Sequence, residues 1–489
     1  ASEAKTTGVA YDRLFMRHWD HWLDEKRSRL FALALDEAGQ VAGEPVLVSG
    51  AVDADIPGRP FGGVEDYTIG PDGENVYFTA RLRNAQEAWS TNYDLYRAPL
   101  DGDGPTVNLT ESNPAWDTQP VFSPDGRHLA YLAMSRPGFE ADRYRILLRD
   151  LASGETRELA PDWDYSPGSI AFSSDGSAIH ASAPDLGRRT LWRLPLTGDA
   201  PERVTDMGTV TAFEAHEKGL LFARDSLGSP TELFWLPAGG DEPRQVTNFS
   251  GPQLADVALG AYEQFSFAGA GGATVYGYVV KPAQFEEGET YPVAFLIHGG
   301  PQGSFGNDFH YRWNPQAYAG AGYAVVTVDF HGSTGYGQAF TDSIRGDWGG
   351  KPLEDLQKGL AAALKQNPWM DGERVAADVA LEGLDPLVPN GKEALSLVNG
   401  ATFATALAAI ACERARRALH TAEAACALSF EVVRADLDDK ESLDRAFSGA
   451  YGAFCITNFW ETFSPELEKK QAGNMASAAK DAGVQHVIW

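Results

Sequence analysis

The sequence predicts a β-propeller of about five blades, followed by a partial parallel α/β sheet, an Ala-rich helical segment and a partial Rossmann-like β-α-β-α-β unit. Three observations carry this. Turn motifs recur at intervals near fifty residues before residue 250; apolar strands alternate with helical stretches from residue 261; composition changes abruptly near residue 378. With 489 residues, 43% of them hydrophobic, the chain is too long for one ordinary core and too apolar to stay disordered.

Ile69-Gly70-Pro71-Asp72-Gly73, Phe122-Ser123-Pro124-Asp125-Gly126 and Phe172-Ser173-Ser174-Asp175-Gly176 recur at steps of 53 and 50 residues. Each precedes alternating apolar positions such as Val76, Phe78, Leu129 and Tyr131. Asp-Gly between two alternating runs predicts a tight hairpin, because the turn needs positive φ. A second turn signal lies between these: Leu95-Tyr96 before Asp101-Gly102, Leu147-Leu148 before Ser153-Gly154, Leu191-Trp192 before Gly198-Asp199, and Phe234-Trp235 before Gly239-Gly240. Two hairpins per repeat make four strands, the content of one blade, and counting back to Leu30-Phe31 fits about five blades into residues 1–260. Two interleaved motifs in register argue against a β-sandwich with coincidental spacing.

A formal charge of −28, from 68 acidic against 40 basic residues, repels phosphate backbones and anionic headgroups, so neither nucleic acid nor a membrane is an expected partner. No stretch approaches the roughly 20 apolar residues of a membrane span, and Ala1-Ser2-Glu3-Ala4-Lys5 lacks a signal core, which predicts a soluble, cytoplasmic chain. Nothing in the sequence fixes an oligomeric state. Cys412, Cys426 and Cys455 are the only cysteines and make no disulfide framework. Residues 378–489 hold 23 Ala in 112 positions, whereas ten of the twelve Trp precede them, which suggests different origins for 1–377 and 378–489.

Within residues 261–377, Tyr291 to Ile297 is an apolar run ending in His298-Gly299-Gly300-Pro301, and Ala324 to Val328 is another, ending at Asp329. Leu353 to Leu364 has helical periodicity, and Arg374-Val375-Ala376-Ala377 begins a third strand. Gly-Gly after a buried strand lets backbone N–H groups converge on a developing oxyanion. Together with Asp329-Phe330-His331-Gly332-Ser333-Thr334-Gly335-Tyr336-Gly337, Gly346-Asp347-Trp348-Gly349 and Asp355, these motifs make residues 1–377 resemble the prolyl oligopeptidase family of serine peptidases, in its bacterial dipeptidyl-peptidase and acylaminoacyl-peptidase-like branch. The resemblance implies a partial α/β-hydrolase domain over 261–377, a Ser-Asp-His triad that cleaves short peptides, and a propeller that filters them by size. It also implies further blades before residue 1, hence an N-terminally truncated propeller. His298, Gly299 and Gly300 match the oxyanion loop, with Gly300 as the N–H donor.

In that family the nucleophile stands in a G-x-S-x-G elbow directly after the strand that begins here at Arg374. This chain continues Ala377-Asp378-Val379-Ala380-Leu381-Glu382-Gly383, and no serine in it has glycine at both −2 and +2. Loss of a nucleophile costs about six orders of magnitude in turnover, so the chain is expected to be inactive, with no catalytic group intact and His298, Gly299 and Gly300 as a remnant. Short peptides in the propeller channel are the expected ligands of such a relic. The alternative is an active peptidase with an unconventional nucleophile, for which Ser304, in Gly303-Ser304-Phe305-Gly306, follows the wrong strand.

Residues 378–430 run from Leu384-Asp385-Pro386-Leu387 through Gly391-Lys392-Glu393-Ala394-Leu395 and Leu397-Val398-Asn399-Gly400-Ala401-Thr402 into an Ala-rich helix with Phe403, Leu407 and Ile410 on one face. This resembles a fragment of the histidine and phenylalanine ammonia-lyase family, where the asparagine matching Asn399 lies beside a prosthetic group made from Ala-Ser-Gly. The one Ala-Ser-Gly here, Ala152-Ser153-Gly154, is a blade turn, so no such group and no lyase activity is expected.

Residues 431–489 read β-α-β-α-β: Val432-Val433, a helix over 440–447, a strand over 452–457, a helix over 465–482 stopped by Gly483, and a strand over 484–489. Arg434-Ala435-Asp436-Leu437-Asp438, the stretch from Ala453 to Glu461 and Ala482-Gly483-Val484-Gln485-His486-Val487 make it resemble a fragment of the NmrA-like atypical short-chain dehydrogenases. The resemblance implies Asp436 near an adenine ring and Thr457 and Asn458 bordering a dinucleotide. The Gly-rich loop that would cradle the pyrophosphate is missing before Glu431, so no cofactor is expected; an NAD(P)-binding sensor is the third reading. The whole reads as an apparent chimera with joins near Ala377 and Phe430, which interrupt sheets and should weaken packing beyond Ala377. His18-Trp19-Asp20-His21 has metal-ligand types, but Trp19 and Trp22 suit a half-buried strand, and no metal is expected. Two sequons, Asn108-Leu109-Thr110 and Asn248-Phe249-Ser250, fall in expected strands.

Overall fold

A computed structural model of the chain describes residues 17–18, 21–23, 26–377, 436–449, 452–454, 464–484 and 486–488. The expected Ala-rich helix with Asn399, Phe403, Leu407 and Ile410, the strand Val432-Val433, the three cysteines, and Thr457 and Asn458 lie outside the described residues. The chain divides into two compact units, Ala1–Ala404 and Thr405–Trp489.

The first unit opens with two short antiparallel pairs, β1 (Arg17–His18) with β2 (His21–Trp22) and β3 (Phe31–Ala32) with β4 (Val46–Leu47). Four antiparallel meanders of four strands follow among the described residues, the third and fourth joined into one eight-stranded sheet by the parallel pair Arg189↔Thr209. The first holds β5 (Tyr67–Ile69), β6 (Asn75–Ala80), β7 (Asp94–Pro99) and β8 (Val107–Asn108); the second β9 (Asp117–Phe122), β10 (His128–Ala133), β11 (Arg145–Asp150) and β12 (Thr156–Leu159). The third holds β13 (Ser169–Phe172), β14 (Ala178–Pro184), β15 (Arg189–Pro195) and β16 (Glu202–Arg203); the fourth β17 (Thr209–His216), β18 (Gly219–Ser226), β19 (Ser229–Pro237) and β20 (Arg244–Gln245).

The predicted turns account for this repeat. Gly73, Gly126 and Gly176 have φ of 68°, 68° and 69°, values that a side chain would strain. Ser123 and Ser173 each donate a 2.6 Å hydrogen bond to the aspartate two residues on, Asp125 and Asp175, bracing the turn. Successive sheets pack face to face as blades do: Tyr77 and Leu95 against Leu129 and Tyr131, Leu132 and Ile146 with Ile170 and Phe172, Leu191 with Val210 and Phe222. The sequon Asn108 lies in β8 with its Nδ2 donating to Asp94 at 2.8 Å. Asn248 lies past the end of β20, exposed and outside any strand, because β20 pairs with β19 only through Arg244 and Gln245.

After helix α1 (Gly251–Leu254) comes a five-stranded sheet of β21 (Tyr262–Ala268), β22 (Thr274–Val280), β23 (Tyr291–Leu296), β24 (Ala324–Asp329) and β25 (Met370–Ala377), in the order β21-β22-β24-β23-β25. It is mixed, not purely parallel: β21 and β22 form an antiparallel hairpin and β22 runs antiparallel to β24, while β23 is parallel to β24 and β25. Gly271 and Gly272, at φ of 63° and 83°, turn that hairpin. Strand β25 starts earlier than expected, because a bulge separates the pairs Pro292↔Asp371 and Val293↔Val375. Val293, Phe295, Val326 and Val328 are buried against Ala363 of a long amphipathic helix, labelled below.

Helices α2 (Pro315–Gly320), α3 (Gln338–Asp342) and α4 (Lys351–Gln366) complete this unit. The meanders and the mixed sheet meet at the hairpin tip Leu186-Gly187. Leu186 N–H donates to Gly335 O at 2.9 Å, Gln264 Nε2 to Leu186 O at 2.7 Å and Asn307 N–H to Gly187 O at 2.7 Å, and Tyr278 OH reaches Gly187 O at 3.4 Å.

In the second unit, α5 (Lys440–Phe447) and α6 (Pro465–Asp481) share a small core of Leu443, Met475 and Ala478, and β26 (Gly452–Phe454) lies parallel to β27 (His486–Ile488). Asp439 and Ser464 cap the helices by accepting hydrogen bonds from Glu441 and Leu467, and Gly483 at φ 70° ends α6 as its sequence predicts. These described residues therefore have a packed core despite lying beyond the first join.

Candidate functional site

Strand β23 delivers the His298-Gly299-Gly300-Pro301 turn to the end of the mixed sheet, and β24 delivers Asp329 beside it. The buried His298 ring stacks on Phe330 with centroids 4.3 Å apart and planes 9° from parallel. Its Nδ1 lies 3.1 Å from Gly299 O, so Nδ1 carries the proton; Nε2 then accepts from Ser333 Oγ at 2.9 Å. Gly300 adopts φ 134° and is exposed, and its N–H meets no acceptor among the described residues.

Asp329, 3% exposed, receives hydrogen bonds from Ser304 Oγ at 2.5 Å, Tyr336 OH at 2.6 Å and Phe305 N–H at 3.1 Å. Its Oδ1 stands 3.8 Å from His298 Nε2. Burial, reinforced by the Asp329 carboxylate, holds the Tyr336 phenol well above the ordinary tyrosine value, so the phenol stays a donor. One turn further, His331 stacks on Phe340 at 4.4 Å and its Nδ1 donates to Asp355 at 2.5 Å. The fully buried Asp355 also accepts from the His331 and Ala270 N–H groups, each at 2.7 Å.

A cavity of about 380 Å³ opens between the second and third meanders and the segment 334–341, lined among others by Tyr144, Tyr165, Arg189, Gln302, Thr334 and Gln338. Of the sequence candidates, His298, Gly299 and Gly300 stay together in one turn, within reach of Ser333. Asp436 belongs to the other unit and is exposed; its Oδ1 accepts from Asp438 N–H at 2.9 Å in its own turn. His18 and His21 are register partners in β1 and β2, and among the described residues no His, Cys, Asp or Glu group could hold a metal ion. The cavity-lining Arg189 and the network around Asp329 escape reading by motif. The one signal for the latter is an aspartate closing the apolar run of β24 ahead of Gly332-Ser333-Thr334-Gly335.

The model of the prolyl oligopeptidase family matches residues 309–378, that of the aromatic amino acid lyases residues 359–443 and that of the NmrA-like family residues 409–489. Among curated relatives, a probable dipeptidyl-peptidase 5 of Trichophyton verrucosum is 34% identical over 378 residues, 73% of this chain and 52% of the relative. The dipeptidyl-peptidase 5 of Arthroderma otae is 35% identical over 370 residues, 71% and 50%. The chain thus spans about half the length of these relatives. Among solved structures, the acylaminoacyl peptidase of Pyrococcus horikoshii is similar with a TM-score of 0.56 at 21% identity, covering 71% of this chain and 50% of its own. An acylaminoacyl peptidase in complex with Z-Gly-Gly-Phe-chloromethyl ketone has a TM-score of 0.56 at 19% identity, covering 88% and 66%. At such identities the likeness speaks for the fold, stacked meanders ahead of an α/β-hydrolase sheet. The chain is therefore a composite, similar to the prolyl oligopeptidase family of serine peptidases over 73% of its length in the curated relatives, and to the aromatic amino acid lyase and NmrA-like families over the overlapping stretches 359–443 and 409–489.

Proposed function

We propose that this chain is a peptide-binding relic of a serine peptidase. In this reading residues 1–260 are a propeller of about five blades, 261–377 a hydrolase domain without its nucleophile, and 378–430 and 431–489 lyase-like and NmrA-like fragments without catalysis of their own.

One observation carries the inactivity: the two serines beside His298 are both unsuited to attack. A serine becomes nucleophilic when an imidazole takes its proton. Ser304, the exposed one, donates its hydrogen bond to the Asp329 carboxylate at 2.5 Å and not to an imidazole. Ser333, which does face an imidazole nitrogen, is fully buried and cannot meet a substrate. Gly300 keeps a free N–H suited to an oxyanion, but among the described residues no nucleophile stands opposite it. That relatives are named dipeptidyl-peptidases and acylaminoacyl peptidases supports peptides as ligands, and the cavity beside Tyr144 and Tyr165 offers room for a dipeptide. Asp436, whose carboxylate is engaged in its own turn, gives no support to a dinucleotide sensor.

The test pairs fluorophosphonate labelling with hydrolysis of dipeptidyl chromogenic substrates. Neither labelling nor turnover is expected; adduct formation on Ser304 accompanied by turnover would establish the unconventional-nucleophile alternative instead.

A further inference from the structure

We infer that the cavity between the meanders and segment 334–341 receives a carboxylate of a short peptide on Arg189. The inference rests on the peptide-binding reading above and adds the charge of the ligand.

Arg189 opens β15 and lines the cavity. Its backbone N–H donates to Gly208 O at 3.4 Å, but among the described residues its guanidinium has no hydrogen-bond or ion-pair partner. The basic residues around it are all engaged. Arg136 binds Asp142 and Asp342, Arg143 binds Glu158 and the Trp163 carbonyl, Arg188 binds the Asp206 carbonyl and Gln264, and Arg203 binds Asp185. Arg189 alone among them presents an uncompensated charge. Burial pulls its guanidinium below the usual arginine range, and Asp308, the carboxylate acting on it, stands too far for an ion pair. A partly desolvated cation without a partner is costly, and a carboxylate that accepts two of its donors offsets that cost.

The head group is also held in place. Its Nη1 lies over the bare backbone of Gly168, where a Cβ would come within 2.5 Å of it. Gly168 is itself fixed, donating to Ser182 O at 2.8 Å and accepting from Gln119 Nε2 at 2.7 Å. The acids of the lining do not compete for Arg189: Asp142 is paired with Arg136, Asp164 accepts from the Gln338 N–H, and Glu140 stands exposed.

Calorimetry on the full chain tests this with three peptides: glycyl-phenylalanine, its C-terminal amide, and N-acetyl-glycyl-glutamic acid amidated at its α-carboxyl only, whose one carboxylate is on the side chain. At least one carboxylate peptide should bind about tenfold more tightly than the amide, and which one does so identifies a terminal or side-chain source. Arg189→Gln should erase that preference and Arg189→Lys retain part of it. Gly168→Ala, which displaces the guanidinium without changing charge, should weaken it as well. Equal binding of carboxylate and amide peptides by the unaltered chain overturns the inference and leaves the peptide-binding reading standing. Binding of none of the three overturns both. Because the peptide comparison uses the unaltered chain, a variant that fails to fold does not remove the test.

Discussion

The guanidinium of Arg136 grips the carboxylate of Asp342 with two parallel bonds, Nη1 at 2.7 Å and Nη2 at 2.9 Å, while its Nε stands 2.6 Å from Asp142. The pair joins the loop after β10 to α3 across 206 residues of sequence. Both side chains are about a third exposed, at 34% and 29%, so solvent screens much of the attraction. Arg136→Ala should cost about 1–2 kcal/mol, and the coupling to Asp342→Ala in a double-mutant cycle should be about 1 kcal/mol, falling in molar salt. Urea unfolding of the four species measures it, and a coupling near zero at low salt would remove the clamp from the account.

Asp355 behaves differently because it is fully buried. Replacing it with Ala leaves the N–H groups of Ala270 and His331 and the His331 imidazole without an acceptor. The expected loss is about 3–5 kcal/mol, with Asp355→Asn intermediate. Thermal unfolding checks this; a loss below about 1 kcal/mol for the alanine variant would mean that the two segments are held by apolar contacts alone.

Asp117 makes stability depend on pH in a direction unusual for an aspartate. Fully buried, with Asn113 Nδ2 donating to its Oδ1 at 2.8 Å and its Oδ2 unpartnered, it is pushed up to about 7 by desolvation. The folded state then binds a proton that the unfolded state releases near pH 4, so stability is present below that pH and is lost as pH rises toward 7. The loss is on the order of 3 kcal/mol, and Asp117→Asn should abolish it and be the more stable protein at pH 8. Denaturant midpoints from pH 4 to 8 decide the point.

His180 supplies the opposite slope. Burial, helped by Arg193, lowers it to about 4, and its Nδ1 has no partner. The unfolded chain takes up a proton near pH 6.5 that the folded chain refuses, so stability is complete above that value and falls as pH drops toward 4. The effect is on the order of 3 kcal/mol and opposes that of Asp117 over the same range. Single His180→Gln and Asp117→Asn variants should expose the two slopes with opposite signs.

The meanders were legible because many of their turns place a glycine at positive φ, and Gly73, Gly126, Gly176, Gly154 and Gly239 stand where the motifs put them. The hairpin of β21 and β22 carries the same turn signal at Gly271-Gly272, but nothing local tells that an antiparallel pair precedes the parallel strands. The site was half legible. His298-Gly299-Gly300 announced itself as a local string, whereas Ser304 and Asp329 meet across 25 residues and Gln338 and Asp164 across 174. Arg189 carries no mark in the sequence at all. Its significance comes from lacking a partner, a property that only the fold defines.

The hairpin tip at Leu186-Gly187 has a bearing on how this molecule could be taken apart. Its two residues, at φ 50° and 72°, project a finger that donates one hydrogen bond to, and accepts three from, the mixed sheet and its loops. The peptide link between β20 and β21 is therefore not the attachment that matters: severing it should leave the fragments bound as receptor and ligand, and the intact link serves mainly to keep their effective concentration high. Grafting the meanders of another protein onto this sheet would need that finger to be grafted too.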